Sequence, residues 1–118
     1  MRLATSELYQ FGAIQQLQPQ SCNYEGHIKS VAAFSTPTAV RFVNNSANLT
    51  FQVFWLDYNG NRVLYATLGA GQSYVQPTFL THPWVVADTT TSPNPLGQCQ
   101  QIYLPIEEQA PAIFPPAQ

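Results

Sequence analysis

The sequence predicts an all-β fold, a β-sandwich of seven to eight strands. From about residue 28 onward, apolar and polar residues alternate with a period of two, which is typical of strands. The β-rich runs are short, and turn residues separate them at intervals of about 8–12 residues, as in sandwich domains. A chain of 118 residues is long enough for one domain with one core.

The predicted sandwich domain covers residues 26–105. Its first strand is predicted over Ile28 to Phe34 and is ended by Pro37, and a short β-rich run follows over Val40 to Asn44. Leu49 to Leu56 alternates with both faces largely covered, so we expect a long strand. Asn59-Gly60 comes directly afterwards and is a strong hairpin signal, because both residues tolerate positive φ.

The second half of the domain continues this pattern. Arg62 to Leu68 is the predicted return strand of the hairpin, and Gly69-Ala70-Gly71 closes it. Two more strands are predicted over Gln72 to Gln76 and Phe79 to Asp88, with Pro77 between them at a bend or an edge. Residues 89–97 are rich in threonine and proline and are predicted to be loop, and Gln98 to Leu104 is the last predicted strand.

The two ends of the chain are predicted to lie outside the sandwich. Residues 1–25 are expected to form an arm that is either lightly docked or contains a short helix. Residues 106–118 contain three prolines, which exclude a long helix, so we expect an extended Pro-rich tail.

Composition argues against several classes of partner. Only 8% of residues are charged and the formal net charge is −2, so no basic patch is available for nucleic acid or an anionic membrane surface. No apolar run approaches the roughly 18–20 residues needed to span a bilayer. The first residues lack the apolar core of a signal peptide. The compartment stays open between the cytoplasm and secretion.

The reactive residues of this chain do not form a catalytic or metal-binding pattern. Cys22 and Cys99 are the only cysteines, and they form either a disulfide or two free thiols. His27 and His82 are too few for a typical zinc site, and Cys99 with His82 matches no nucleophile motif. We therefore expect neither an enzyme nor a metal or other cofactor.

A group of aromatic and polar residues predicts a recognition site instead. Trp55 and Tyr65 lie on the two strands of the predicted hairpin, and His82 and Trp84 lie two residues apart, so that their side chains share a face. Thr78 has the same even spacing. Each aromatic residue alone would suggest core packing, but a core seldom needs threonine, histidine and tryptophan on one stripe. Together they predict an aromatic box with two hydrogen-bonding groups, suited to a compact ring with one polar substituent.

At these residues the chain resembles the β domain of the von Hippel–Lindau tumour-suppressor family. The likeness runs from about Phe42 to Pro105, and Lys29-Ser30-Val31 corresponds to the first strand of that family. It is carried without insertion or deletion by Val43-Asn44-Asn45-Ser46, Phe54-Trp55-Leu56-Asp57-Tyr58-Asn59-Gly60, Tyr65-Ala66-Thr67-Leu68, Gly71, His82-Pro83-Trp84, Asp88 and Ile102-Tyr103-Leu104-Pro105.

The resemblance implies that the domain binds 4-hydroxyproline in an extended peptide. The implied pocket consists of Trp55, Tyr65, Thr78, His82 and Trp84, with Thr78 at a position where the family usually has serine. The peptide would take main-chain hydrogen bonds along the strand around Gln76, Pro77 and Phe79. Because the resemblance does not include the family's helical α domain, elongin binding and ligase assembly are not expected. The alternative is a structural or interaction domain whose pocket binds another ligand, such as carbohydrate, or its own chain.

Overall fold

In the part of the chain that the structure describes, seven strands in two sheets form the domain, which confirms the predicted all-β sandwich. The computed structural model describes residues 16–32, 36–89 and 98–115. The strands are β1 (Pro37–Asn44), β2 (Phe51–Leu56), β3 (Arg62–Leu68), β4 (Ser73–Phe79), β5 (Trp84–Asp88), β6 (Gln98–Tyr103) and β7 (Ala110–Phe114). One sheet has the order β4-β1-β7 and the other has the order β3-β2-β5-β6.

The main core lies between the two sheets. Val40, Phe42 and Phe114 of the three-stranded sheet pack into the same cluster as Trp84 and Tyr103 of the four-stranded sheet. The alternation of β1 and β2 sends every second side chain into this space, as the period of two predicted. The two sheets are therefore joined mainly by apolar contact.

A second apolar cluster covers the other face of the four-stranded sheet. It consists of Phe54, Leu56, Val85, Ala87 and Ile102. Ile28 packs against this cluster, and Gln20 forms a β-bridge with Ile102 of β6. The segment that precedes β1 thus seals this face, which explains why all five residues of β5 are buried.

The predicted first strand is wrong in the part that the structure describes. Residues 28–32 form no strand, since their backbone amides donate hydrogen bonds to two different segments of the chain. The Ser30 amide donates to the Asp57 carbonyl at 3.1 Å and the Val31 amide donates to the Thr81 carbonyl at 3.2 Å. Residues 33 and 34 of that prediction lie outside the described residues. The arm before residue 26 contains a short 3-10 helix, Cys22–Tyr24, and the structure joins Cys22 to Cys99 as a disulfide.

Prolines caused the other errors in the predicted strands. Pro37 opens β1 instead of ending a strand, and Pro77 lies within β4 instead of between two strands. Both positions tolerate a missing N–H, because the first residue of a strand and an edge strand leave some amides unpaired. The predicted strand from Phe79 to Asp88 is divided by a turn, in which the His82 amide donates to the Phe79 carbonyl at 3.1 Å.

The Pro-rich tail contains a strand that the sequence did not predict. Residues Ala110–Phe114 form β7, which pairs in parallel with β1 from Val40 to Asn44. Ala110, Ala112 and Phe114 are buried, and the carbonyl of Ile113 accepts a bond from the Tyr103 hydroxyl at 3.2 Å. The extended chain at this end is thus a structural part of the sandwich.

We predict that Phe114→Ala lowers the free energy of unfolding by about 3–5 kcal/mol, because a fully buried phenylalanine ring is removed from the main core. Urea unfolding followed by tryptophan fluorescence measures the change. Glu108→Ala is the matched control at an exposed position of the same segment. A loss at Phe114 no larger than that of the control would show that β7 is not docked.

Candidate ligand-binding site

One cavity opens between β4 of the three-stranded sheet and the β2–β3 hairpin of the other. Its volume is about 210 Å³, whereas an engineered apolar cavity of about 150 Å³ holds benzene, so the space suits one small ring. Nine residues line it: Trp55, Tyr58, Tyr65, Gln76, Pro77, Thr78, Phe79, His82 and Trp84. The five predicted pocket residues and the three predicted edge residues are all among them.

The aromatic rings form a floor and walls that meet at steep angles. Trp84 is only 2% exposed and forms the floor. The Tyr65 ring stands almost perpendicular to it, with ring centres 5.0 Å apart and an interplanar angle of 81°. Trp55 lies 6.2 Å from Tyr65 and 5.4 Å from His82, so it forms the wall that joins them. Tyr65 is 49% exposed, which leaves the mouth of the cavity open.

Thr78 brings a hydroxyl to this aromatic surface. The indole Nε1–H of Trp84 donates to Thr78 Oγ1 at 2.9 Å, and Thr78 is 5% exposed. A hydroxyl carries one proton and two lone pairs. Because Trp84 takes one lone pair, the proton and the second lone pair of the Thr78 hydroxyl are left for a further hydrogen bond.

His82 supplies the second polar group of the cavity. It is 7% exposed and lies in the turn before β5, not on the strand with Trp84 as the sequence predicted. Desolvation by burial lowers the pKa of His82 below its usual value of 6.5, since the charged imidazolium loses its hydration. The imidazole is therefore neutral at pH 7 and offers one acceptor nitrogen and one donor nitrogen.

Tyr58 belongs to the site although the sequence analysis named it only within a segment that carries the family resemblance. Its hydroxyl lies 3.4 Å from Nε2 of His82, and its ring stands across the face of Trp55 at 5.3 Å. The carboxylate of Asp57 shapes the turn by accepting bonds from the amides of Asn59 and Asn61, both at 2.9 Å. The sequence signals for Tyr58 were its position directly before Asn59-Gly60 and its place in a segment that resembles the family.

The segment before β1 also positions the site, and the sequence analysis assigned it no such role. Trp55 Nε1–H donates to Ser30 Oγ at 2.7 Å, and Ser30 Oγ in turn donates to the Leu56 carbonyl. Val31 and Thr81 exchange hydrogen bonds one residue before His82. The left-handed turn residue Gly60 leaves room for this segment, because a Cβ there would lie 3.2 Å from the Ile28 carbonyl. Residues 28–31 therefore hold Trp55 and the His82 turn together.

The hydrogen-bonding groups on the outer edge of β4 follow from its register. Leu80 N–H donates to the Thr36 carbonyl and Asn44 N–H donates to the Gln72 carbonyl, which fixes the even-numbered residues of β4 as those that bond to β1. The odd-numbered residues, Val75, Pro77 and Phe79, consequently direct their backbone groups to the edge away from β1. Pro77 has no N–H, and its carbonyl accepts Gln76 Nε2 at 2.8 Å.

The described residues contain no charged group in the lining of this cavity and no group of three His, Cys, Asp or Glu side chains that could hold a metal ion. Across residues 16–32, 36–89 and 98–115, no helix has the length and apolar character to cross a membrane. Within the described residues the arrangement therefore consists of aromatic surface, uncharged polar groups that include Thr78 and His82, and the outer edge of β4. It can bind a neutral ring that carries a hydroxyl.

Comparison with known families gives one match. The model of the VHL beta domain matches residues 17–110, well over half of the chain. The match begins within the arm predicted for residues 1–25 and ends at the first residue of β7. No curated protein matches the chain.

We predict that Ser30→Ala destabilises the domain by about 1–3 kcal/mol, because it leaves the Trp55 indole N–H and the Leu56 carbonyl without their partner. Urea unfolding measures the loss, and tryptophan emission reports the change around Trp55. Ser73→Ala, at an exposed position on β4, is the control and should stay within about 0.5 kcal/mol of the parent. Equal effects of the two variants would contradict the positioning role of Ser30.

Proposed function

Because the chain belongs to the VHL beta domain family, a family of substrate-recognition domains, we propose that it is a non-catalytic module that binds 4-hydroxyproline within an extended peptide. The observation that carries the proposal is the pair of nearly buried polar residues, Thr78 and His82, in a cavity that five aromatic residues line. An apolar ring with one hydroxyl matches both parts of this surface.

The aromatic residues would enclose the pyrrolidine ring. Trp84 supports it from below, while Trp55 and Tyr65 stand on either side at steep angles to each other. Aromatic faces of this kind favour contact with ring C–H groups and displace water from the site. This contact alone would not distinguish proline from hydroxyproline.

A chain of hydrogen bonds with one consistent direction would supply the discrimination. Trp84 Nε1–H donates to Thr78, the Thr78 hydroxyl would donate to the ligand hydroxyl, and the ligand hydroxyl would donate to the neutral imidazole of His82. Plain proline would leave the Thr78 hydroxyl without this partner, and it would leave His82 only the long contact of 3.4 Å between Nε2 and the Tyr58 hydroxyl. Each such loss costs roughly 1–3 kcal/mol. Sites that pair a substrate hydroxyl reject the analogue that lacks it for this reason.

The rest of the peptide would lie along the outer edge of β4. That edge presents the N–H and carbonyl of Val75 and the N–H of Phe79. An extended peptide can add to such an edge by main-chain hydrogen bonds, with its side chains setting the specificity.

The alternative occupants are a carbohydrate, which can also stack on tryptophan, and the chain itself. The described part of the Pro-rich tail pairs as β7 on the other side of β1 from β4, and it does not line the cavity. A tail folded into its own pocket is therefore not the arrangement observed for residues 110–115.

We predict that a 4-hydroxyproline peptide binds at least about tenfold more tightly than its proline twin, since the loss of two ligand hydrogen bonds, at roughly 1–3 kcal/mol each, exceeds the 1.4 kcal/mol that a tenfold difference requires. Titration followed by tryptophan fluorescence measures both affinities, and simple sugars serve as a third set of ligands. Equal or absent binding of the two peptides would refute the proposal, and binding of a sugar instead would favour the alternative.

Two variants test the roles of the polar pair in the same titration. His82→Ala should abolish the preference for hydroxyproline without unfolding the domain, whereas Thr78→Ser keeps the hydroxyl and should retain it. Near-ultraviolet circular dichroism checks the fold of each variant. Unfolding of His82→Ala would assign His82 a structural role.

Over a range from pH 8 into acidic solution, we predict that the preference for hydroxyproline is kept at neutral pH and falls on acidification, at a lower pH than for an ordinary histidine. Burial lowers the pKa of His82, so the neutral form persists below the usual value of 6.5. Protonation at still lower pH turns both ring nitrogens into donors and removes the acceptor for the ligand hydroxyl. Affinities of both peptides measured across this range test the prediction, and a preference that strengthens on acidification would contradict it.

A further inference from the structure

We propose that Asn48 is an attachment site for an N-linked oligosaccharide. The segment Asn48-Leu49-Thr50 has the pattern that this modification requires, an asparagine followed two residues later by serine or threonine, with no proline between them. The same pattern occurs four residues earlier, at Asn44-Asn45-Ser46. So short a pattern also occurs by chance, and the surroundings of each asparagine decide which match can be used. The inference is independent of what the cavity binds.

Asn44 cannot carry a glycan in the folded domain. Its side chain is fully buried, and Nδ2 donates to the carbonyls of Leu49 and Leu68, each at 2.9 Å. Attachment would replace one of the two Nδ2 protons by a bulky polar group, for which a close-packed interior has no space. Oδ1 of Asn44 accepts the Ser46 amide at 3.1 Å and the Ser46 hydroxyl at 2.6 Å. This match to the pattern therefore builds the loop after β1.

Asn48 lies in an exposed bend of the same loop. Leu49, the next residue, packs against the main core, and its amide donates to the Ser46 hydroxyl at 3.1 Å. The Thr50 carbonyl then accepts the Thr89 amide at 3.1 Å. The chain on both sides of the bend is thus attached to the domain. A glycan on Asn48 would extend into solvent without disturbing these contacts.

The loop lies at the end of the sandwich that is remote from the cavity. Phe51 begins β2 next to the loop and pairs with Asp88 at the end of β5, whereas Trp55 pairs with Trp84, where β5 begins. Four steps along the strand, at about 3.3 Å each, separate Phe51 from Trp55 by roughly 13 Å. A glycan on Asn48 would therefore leave the mouth of the cavity open.

The cysteines support passage through an oxidising compartment. Cys22 and Cys99 are the only cysteines of the sequence, and the structure joins them as a disulfide between residues 77 positions apart. Such bonds form and persist in secreted proteins and in the lumen of the endoplasmic reticulum, and they are rare in the cytosol. Asparagine-linked glycans belong to surface loops of secreted proteins. The disulfide and the exposed acceptor therefore indicate the same route.

The modification needs a lipid-linked oligosaccharide as its donor. Nδ2 of Asn48 forms a bond to the anomeric carbon of the first sugar and loses one proton. The bond between that carbon and the diphosphate oxygen breaks, and the lipid diphosphate leaves. The product keeps an amide at residue 48 and adds a large hydrophilic group to the surface.

Secretion of the full chain from a eukaryotic cell, behind a cleavable signal sequence, tests the proposal. Peptide:N-glycosidase in heavy-oxygen water converts each glycosylated asparagine into labelled aspartate, which mass spectrometry assigns to its position. We expect the label at Asn48 and none at Asn44 in the disulfide-bonded protein. The same chain made in the bacterial cytoplasm and treated identically is the unmodified reference. An unmodified Asn48, or a glycan on Asn44 of the folded protein, would overturn the inference.

Variants of the pattern supply a second readout. Asn48→Gln and Thr50→Ala should each abolish the electrophoretic shift that the glycosidase reverses, whereas Thr50→Ser keeps the pattern and should retain the shift. Ala47→Ser, at the neighbouring exposed position, is the matched control and should also retain it. Near-ultraviolet circular dichroism checks the fold of each variant. A shift that persists in folded Asn48→Gln would place the glycan elsewhere and contradict the proposal.

Discussion

The indole N–H of Trp84 is buried between the two sheets and must find an acceptor there. Trp84 belongs to β5, and its ring packs against Phe42 of the opposite sheet at 5.7 Å. The hydroxyl of Thr78, also on the opposite sheet, accepts its N–H at 2.9 Å. A buried donor without a partner costs about 1–3 kcal/mol, so core stability requires this bond. The same bond occupies one lone pair of the Thr78 oxygen and leaves the hydroxyl proton for another acceptor. A requirement of the core thus produces the polarity of the site.

The walls of the cavity depend on chain outside the two sheets. Residues 28–31 hold Trp55 through Ser30 and the His82 turn through Val31 and Thr81. The residues that precede this segment are attached to the four-stranded sheet. Glu25 pairs with Arg62 of β3 through two hydrogen bonds, and a disulfide joins Cys22 to Cys99 of β6. Loops that carry recognition residues need such support, because loops alone are the more mobile parts of a domain.

The parts of the molecule that could be predicted from sequence are those governed by local pattern. The β2–β3 hairpin follows from alternation around Asn59-Gly60, and β3 begins and ends where predicted, at Arg62 and Leu68. The strands that contain proline were misjudged, because whether a missing N–H matters depends on which edge the strand occupies. The five pocket residues came from combining aromatic and polar spacing with a family resemblance. Ser30 and Tyr58 could not be found in that way. The role of Ser30 arises from its bond to Trp55, which is remote from it in the sequence. The role of Tyr58 arises from its contact with His82, which also depends on how the chain turns.

The outer edge of β4, which no strand in the described part of the chain pairs with, also exposes the protein to pairing with copies of itself. Long, flat edges of this kind promote association between sheets, and natural domains interrupt them. In β4 the interruption is central, because Pro77 lacks a donor and Gln76 already engages its carbonyl. A second copy of β4 would need an unbroken ladder and would meet a gap in its middle, whereas a short peptide anchored by one ring needs only a few backbone bonds. The edge therefore remains accessible to a small ligand while resisting polymerisation.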